Sequence, residues 1–255
     1  MTEVPTSHGT AVQGAQLFED DRSGWRASLA ADDALRRQAV DLQVAAEGHS
    51  YTYTWEWAGV PIIRLPDDIV VLQELIWSYK PTHIVETGVA RGGSMVLNTS
   101  LQRMAGLEPR VLGIDIQILE HTRAALDGHP LAEGVTLHEG DSTDEVAKAT
   151  TTAFLQGAER ALLILDSNHT HDHVLAELRV LAPLLPAGSY VLVADTLVEE
   201  FPENFYADRP WGRGNNPYTA LRQFLTEDAD YELDATWSRR GLLSEFRDGI
   251  ARRIS

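Results

Sequence analysis

The feature of this 255-residue sequence that most constrains its fold is a series of short apolar segments, each ending in an acidic residue. Between residues 83 and 196, five such segments alternate with stretches of helical spacing, and the acids recur at intervals of 25 to 29 residues. One strand–helix unit of a parallel sheet has about this length. The acids are Glu86, Asp115, Asp141, Asp166 and Asp195. The pattern predicts an α/β fold with a mostly parallel central sheet and helices on both faces.

These acids are expected to share one edge of the sheet, because the carboxyl ends of parallel strands lie on the same side. Open α/β sheets bind their ligands at that edge. Acids that only cap the following helices would explain one or two of the five. All five in register therefore favour a ligand site.

The regions outside this series have a simpler pattern. Residues 1–20 are polar, and we expect a flexible tail without a secretory leader. Residues 21–80 are expected to form a helical and extended segment that packs on the core. Within them, residues 25–48 have helical spacing, and aromatic residues alternate over 51–57, which favours a strand or an extended arm. Residues 81–255 are expected to form the α/β domain.

The composition excludes several classes of partner. Lys and Arg number 21 against 38 Asp and Glu, so the net charge is −17 at pH 7. An acidic surface repels phosphate backbones and disfavours nucleic acid. The absence of cysteine excludes disulfides and thiolate metal sites, and it fits a cytoplasmic location. No apolar stretch approaches the ~18 residues of a membrane span. We expect a small-molecule ligand, with no nucleic acid and no membrane partner.

The sequence VETGVARGGS, at residues 85–94, is the candidate cofactor turn. In dinucleotide-binding turns, a second glycine lets a pyrophosphate approach the backbone. Here Ala90 takes that place and Glu86 adds negative charge, so a cofactor without phosphate, such as S-adenosylmethionine, fits better. Glu86 suits its ammonium group, Asp115 its ribose hydroxyls and Asp141 its adenine amino group. The predicted cofactor residues are Glu86, Gly88, Ala90, Arg91, Gly92, Ser94, Asp115, Asp141 and Ser142.

Two acids follow consecutive strands and predict a metal site. Asp166 and Asp195 should meet at the active edge, where two carboxylates suit Mg²⁺ or Mn²⁺. Zinc is disfavoured because the sequence lacks an HExxH motif. His169 is a candidate proton acceptor for a substrate hydroxyl polarised by the metal, which would then attack a sulfonium methyl in line. His171 and His173 are expected to be solvated at a helix start.

Several segments together resemble the rhamnosyl O-methyltransferase and cephalosporin-hydroxylase-like family. They are VETGVARGGS, GIDI, EGDS, LILDSNHTHDHVLAEL and VADT followed by RPWGRGNNP, and the resemblance extends over about residues 51–230. It implies a Rossmann-like S-adenosylmethionine methyltransferase fold, dependence on Mg²⁺, and assembly into homo-oligomers.

The resemblance also implies roles for individual residues. Asp166 and Asp195 would hold the metal, with Ala194 at a position where relatives often have glutamate. His169 would be the general base. The family's cofactor positions map to Glu86, Gly88, Asp115 and Asp141.

The implied reaction is methyl transfer to a hydroxyl of a nucleotide-bound deoxysugar, such as TDP-rhamnose, in natural-product biosynthesis. The same chemistry on a polyketide, glycoside or β-lactam is an alternative. An NAD-dependent oxidoreductase and a non-catalytic binding module are alternatives of other classes. The long segment 201–217 is either a substrate-binding loop or a plain structural loop. Its candidate substrate residues are Arg209, Trp211, Arg213 and Asn216.

Overall fold

The computed structural model describes residues 11–255, and the side chains from residue 14 onward. Within that range the strands are β1 (Trp55–Trp57), β2 (Val60–Ile62), β3 (His83–Thr87), β4 (Val111–Asp115), β5 (Val135–Glu139), β6 (Ala161–Leu165), β7 (Tyr190–Val193), β8 (Tyr231–Leu233) and β9 (Ile250–Arg253). The last seven form one sheet of order β5-β4-β3-β6-β7-β9-β8. Strands β3 to β7 are parallel, and β9 is antiparallel to both of its neighbours. The predicted mostly parallel sheet is confirmed.

Helices cover both faces of this sheet. They are α1 (Ala11–Ala31), α2 (Asp33–Glu47), α3 (Pro66–Tyr79), α4 (Gly93–Met104), α5 (Glu120–Leu126), α6 (Glu145–Phe154), α7 (His171–Leu181), α8 (Pro217–Glu227) and α9 (Ala235–Ser238). A strand covered on both faces sends alternate side chains into two cores. In β3, Ile84 packs in the core that contains α3 and α4, whereas Val85 packs in the core that contains α7 and α8.

The order of the strands reverses between β3 and β6. The two chain directions diverge there, and in open α/β sheets this leaves a crevice at the carboxyl ends of the strands. The loops that carry the predicted site residues follow β3, β4, β5, β6 and β7, so they surround this crevice.

The N-terminal segment is more helical than predicted. The tail predicted over residues 1–20 already contains the start of α1 at Ala11, and the ten residues before it lie outside the described residues. Alanine, glutamine and leucine are frequent after Ala11, and they favour helix. The single helix predicted over 25–48 is in fact two. Asp32 separates them, because its side chain caps α2 by accepting a hydrogen bond from the backbone N–H of Leu35 at 2.9 Å.

The aromatic segment 51–57, predicted as one strand or arm, begins with a 3-10 turn and continues into the hairpin β1–β2. Ala58 and Gly59 form its two-residue turn, and both have positive φ, as such turns require. Trp57 Nε1 donates a hydrogen bond to Ser100 Oγ on α4 at 2.9 Å. The hairpin is therefore fixed against the sheet domain.

The C-terminal segment closes the sheet through β9 and also returns to the crevice. Ser244 and Glu245 precede β9 and both donate hydrogen bonds to Asp68, a buried residue of α3. The distances to Asp68 are 2.5 Å from Ser244 Oγ and 2.8 Å from the backbone N–H of Glu245. This anchor brings Glu245 to the site. None of the helices in residues 11–255 is long and apolar enough to cross a membrane.

Candidate active site

A cavity of about 590 Å³ opens at the carboxyl ends of the parallel strands, where the sequence predicts the site. Its size is typical of a small-molecule pocket. The predicted site residues that line it are Gly88, Ala90, Arg91, Gly92, Ser94, Asp115, Asp141, Ser142, Asp166, His169, Asp195 and Trp211. The predicted residues outside this lining are Glu86, Arg209, Arg213 and Asn216.

The turn after β3 is held tightly against the strand β6. Gly88 has φ +89°, and a Cβ built on it would lie 1.9 Å from the carbonyl oxygen of Asp166. Only glycine fits there. Asp115 Oδ2 accepts hydrogen bonds from the backbone N–H groups of Val89 at 2.8 Å and Ala90 at 3.2 Å. Asp115 therefore organises the turn and lines the cavity at the same time.

The loop after β5 adds a second acid to this side of the cavity. Asp141 Oδ1 accepts two hydrogen bonds from Thr143, one from Oγ1 at 2.7 Å and one from the backbone N–H at 2.8 Å. These bonds lower the pKa of Asp141, so the carboxylate stays ionised at the cavity wall. Ser142, which follows it, is buried and donates to Glu177 Oε1 at 2.6 Å.

Asp166, His169 and Asp195 come together as the sequence predicts. One potential ligand atom from each lies within 4.8 Å of the others. His169 Nδ1 is 3.1 Å from Asp195 Oδ2, and the Trp211 ring packs edge-on against the imidazole, with centroids 4.9 Å apart. Asp195 has φ +57°, a left-handed conformation that aspartate tolerates, and it turns the chain out of β7.

A buried arginine lies behind this cluster. Arg64 is 1% exposed, and its Nη2 lies 3.0 Å from Asp166 Oδ2 and 3.6 Å from Glu86 Oε1. Its Nη1 lies 3.4 Å from Glu245 Oε2. Burial works to lower the pKa of Arg64, but the surrounding carboxylates outweigh it and raise that pKa. Sequence reasoning missed Arg64 and Glu245, although a lone arginine in the apolar run VPIIRL was a signal.

The donor set fits a divalent cation. Asp166 and Asp195 offer two hard carboxylates, and the His169 imidazole lies beside them. Burial raises the pKa of Asp166 to about 6, Asp195 adds to the rise, and Arg64 opposes it. Arg64 already contacts three carboxylates and Asp195 is a fourth nearby, so the cluster carries excess negative charge. A bound divalent cation would offset that excess.

Glu86 lies behind the cavity wall and not on it. It is fully buried, and Asn98 Nδ2 donates a hydrogen bond to its Oε2 at 2.5 Å. Burial raises the pKa of Glu86 to about 7, which Arg64 and Asn98 only partly oppose. The sequence predicted that Glu86 binds the ammonium group of the cofactor. In the structure the Glu86 carboxylate instead contacts Arg64 and Asn98.

The loop residues divide in two. Trp211 lines the cavity, and the Arg209 guanidinium lies 5.4 Å from the Trp211 ring centroid, just outside. Arg213 is exposed. Asn216 is a correction: it is fully buried and caps α8, accepting from the Thr219 N–H at 3.2 Å and donating to the carbonyl oxygen of Gly212 at 2.8 Å. Its amide is engaged in capping and cannot also bind substrate.

The two histidines that begin α7 are also corrections, because neither is merely solvated. His173 lines the cavity, and its Nε2 lies 3.2 Å from Ser142 Oγ and 3.4 Å from Glu177 Oε1. The hydrogen bond to Glu177 raises the pKa of His173. His171 Nδ1 lies 2.8 Å from Thr219 Oγ1 and so joins α7 to α8. Ser142 and Thr219 reach these histidines from other elements, which the sequence spacing did not reveal, whereas Glu177 lies one helical turn from His173 on α7.

Comparison with known proteins places the chain in a family. A profile described as rhamnosyl O-methyltransferase/CmcI matches residues 49–254. The rhamnosyl O-methyltransferases of Mycobacterium tuberculosis and Mycobacterium bovis are 31% identical over 201 residues, covering 75% of this chain and 78% of theirs. That of Mycobacterium leprae is 27% identical over 207 residues, covering 77% and 85%. The chain belongs to the rhamnosyl O-methyltransferase/CmcI family and is an O-methyltransferase.

Solved structures agree on the fold. The apo structure of CmcI matches with a TM-score of 0.56 at 24% identity, covering 80% of this chain and 77% of that chain. A CmcI structure with Mg and SAM gives a TM-score of 0.53 at 21% identity, covering 80% and 78%. The predicted methyltransferase fold, with its mostly parallel sheet flanked by helices, is confirmed.

Proposed function

We propose that the protein transfers the methyl group of S-adenosylmethionine to a sugar hydroxyl, with Mg²⁺ or Mn²⁺ as the metal. The observation that carries this proposal is the meeting of Asp166, His169 and Asp195 in the same cavity as the glycine-rich turn. A methyl donor and an activated hydroxyl have to be adjacent for in-line transfer.

The cofactor lies on the β3–β5 side of the cavity. The turn after β3, Asp115 and Asp141 line that side. Among the described residues, six carboxylates but only two guanidinium groups line the cavity. This balance favours a sulfonium cation over a pyrophosphate, and it supports S-adenosylmethionine over a nicotinamide dinucleotide.

The metal side supplies the proton acceptor. Asp166 and Asp195 would hold the cation, and a bound cation would lower the pKa of a hydroxyl next to it. His169 Nδ1 is engaged by Asp195. In the neutral imidazole this assigns the hydrogen to Nδ1, so that Nε2 is the nitrogen that accepts the proton of the substrate hydroxyl. Trp211 packs against the His169 ring and limits its rotation.

The acceptor is a nucleotide-bound deoxysugar, such as TDP-rhamnose, of a natural-product pathway. The names of the mycobacterial relatives support a rhamnosyl acceptor. Arg209 beside Trp211 lies just outside the cavity and suits the diphosphate of such a sugar, while the sugar ring enters the acidic interior.

Mass spectrometry tests this proposal directly. The protein is incubated with S-adenosylmethionine, Mg²⁺ and TDP-rhamnose, and the expected product carries one additional methyl group. Addition of EDTA should stop the reaction. In a parallel thermal melt, S-adenosylhomocysteine should raise the melting temperature and NAD should not. Stabilisation by NAD instead, or equal turnover in EDTA, contradicts the proposal.

Homo-oligomerisation and a cytoplasmic location are part of the same proposal. Large apolar side chains are exposed on α1, α2 and α3, among them Phe18, Trp25, Leu42, Val70 and Trp77. Surfaces of this kind favour association with another copy. Light scattering on the purified protein measures the assembly size, and a monomeric mass contradicts the oligomer.

A further inference from the structure

One part of the cavity lining has no role in the function proposed above. It comes from α2, from the turn that follows it and from the segment after β7, and includes Gln43, Glu47, Thr52, Tyr53 and Tyr206. The position of α2 explains this lining. Its apolar face packs through Val40 and Val44 on Leu197, Phe201 and Tyr206.

This packing places the lining on the β7 side of the sheet. Strand order puts β7 beyond β6 and away from the cofactor strands β4 and β5. Tyr206 lies close enough to Asp195 and Glu47 to feel their charges: burial raises the pKa of Tyr206, and these two carboxylates raise it further. The α2 lining therefore faces the metal side, where an acceptor has to lie.

Gln43 is the unusual side chain of this region. It is 3% exposed, and its Nε2 donates a hydrogen bond to Glu47 Oε1 at 2.9 Å. Its Oε1 is buried and has no hydrogen-bond partner among the described residues. A carboxylate only accepts, so the contact with Glu47 fixes which way the Gln43 amide points. The free atom is an acceptor, and a buried acceptor calls for a donor.

Glu47 lines the same part of the cavity as Gln43 and is hydrogen-bonded to it. Its second oxygen accepts a hydrogen bond from Thr52 Oγ1 at 3.3 Å. Burial raises the pKa of Glu47, and Asp195 adds to the rise. The cationic side chains in the cavity lining are Arg64 and Arg91, and Arg64 is already shared among three carboxylates. The α2 end thus suits a neutral donor such as a hydroxyl, and not a phosphate.

We infer that Gln43 and Glu47 form a hydroxyl-binding subsite for the acceptor sugar. Gln43 Oε1 accepts a hydrogen bond from a ring hydroxyl other than the one that is methylated, and Tyr53 and Tyr206 flank the ring. This inference rests on the proposed function, since it needs a hydroxylated acceptor next to the metal. It adds the residues that orient that acceptor.

Calorimetry on the intact protein tests the subsite. TDP-rhamnose is titrated into protein saturated with S-adenosylhomocysteine and Mg²⁺. Gln43→Met keeps the side-chain length and removes the acceptor. Binding should weaken roughly 3- to 10-fold, the value of one hydrogen bond, while the affinity for S-adenosylhomocysteine stays unchanged. Gln156→Met, at an exposed glutamine in the turn after α6, is the matched control and should bind as wild type does.

Monodeoxy analogues of the sugar separate a contact from a general disturbance. One analogue should bind wild type more weakly than TDP-rhamnose does, yet bind Gln43→Met no more weakly. Equal affinity of wild type and Gln43→Met for TDP-rhamnose overturns the inference. So does a loss that is the same for TDP-rhamnose and every analogue, or failure of wild type to bind TDP-rhamnose. Binding with this pattern but without methyl transfer overturns the proposed function and leaves the subsite standing.

Discussion

The two sides of the cavity are built in different ways. The cofactor side, over β3, β4 and β5, draws its lining from one stretch of chain, residues 88–142. The acceptor side draws on residues 43–64, 166–173, 195–211 and Glu245, which are far apart in sequence. The first is a local property of consecutive strand–helix units. The second exists only after α2, the hairpin and the C-terminal segment have packed on the sheet.

This difference explains how specificity can change while chemistry is kept. Substitutions in α2 or in residues 201–216 would change the proposed acceptor site without altering the glycine-rich turn after β3. Two residues connect the two sides, so substituting either should affect both. Gly88 packs on the backbone of Asp166, and Arg64 contacts both Asp166 and Glu86.

Asp166→Asn is expected to have the largest effect on one side of the cavity with the least effect on the other. Loss of a metal ligand should remove the metal contribution to catalysis, worth several kcal/mol, so turnover should fall by about 10³-fold or more. The affinity for S-adenosylhomocysteine should stay within about 3-fold of wild type, since the site proposed for that ligand is on the other side of the cavity. Asp127→Asn, at an exposed aspartate, is the control. Steady-state kinetics with a Mg²⁺ titration measures both, and an unaltered metal response in Asp166→Asn rules out the ligand assignment.

Gly88→Ala should damage both sides at once. A left-handed alanine and the 1.9 Å approach to the Asp166 carbonyl together should cost about 3 kcal/mol or more of unfolding free energy. Gly106→Ala has a similar φ, +77°, but no atom within 4 Å of the added Cβ, and should cost only about 1 kcal/mol. Urea denaturation compares them. Equal losses of unfolding free energy in the two variants would mean that Gly88 is not closely packed against the backbone of Asp166.

His169→Ala should lower turnover by about 100-fold, the lower range for loss of a general base, with little change in cofactor affinity. Steady-state kinetics and a cofactor titration measure both. A turnover within about 3-fold of wild type would assign the proton to another acceptor.

The smallest effect on turnover is expected from Glu86→Gln, whose main effect is on stability. The folded-state pKa of Glu86 is about 7, above its ordinary 4.5, so the folded protein holds a proton more firmly than the unfolded chain. Ionisation of Glu86 therefore destabilises the fold increasingly as pH rises from about 4.5 to 7. A pKa raised from 4.5 to about 7 corresponds to about 3 kcal/mol, so the variant should be more stable than wild type by up to that amount at pH 8, and the gain should shrink towards pH 5.

The same variant tests where Glu86 lies. Its affinity for S-adenosylhomocysteine should be nearly unchanged, because Glu86 is behind the wall. A loss of affinity of more than about 10-fold would support the direct contact between Glu86 and the cofactor ammonium group that the sequence suggested.

What the sequence could predict follows the same division. The alternation of strands and helices, the acids at the edge and the glycine turn are encoded locally, and they were predictable. Asp166, His169 and Asp195 were predictable as well, because two parallel neighbouring strands bring their ends together.

The missed features depend on tertiary packing. Arg64, Glu245 and Gln43 reach the site from segments whose position sequence periodicity does not fix. Asn216 was misassigned, although Asn before Pro217 at a helix start is a capping signal. His173 shows the converse case, a residue dismissed as solvated that lines the cavity.

The central claim is that a divalent cation binds between β6 and β7 beside the methyl donor. Anomalous diffraction from crystals grown with Mn²⁺ and S-adenosylhomocysteine tests it most directly. We predict one strong peak roughly 2.0–2.3 Å from carboxylate oxygens of both Asp166 and Asp195, in the cavity that holds the sulfur. A peak elsewhere, or full cofactor occupancy with no peak at these two carboxylates, would contradict the account.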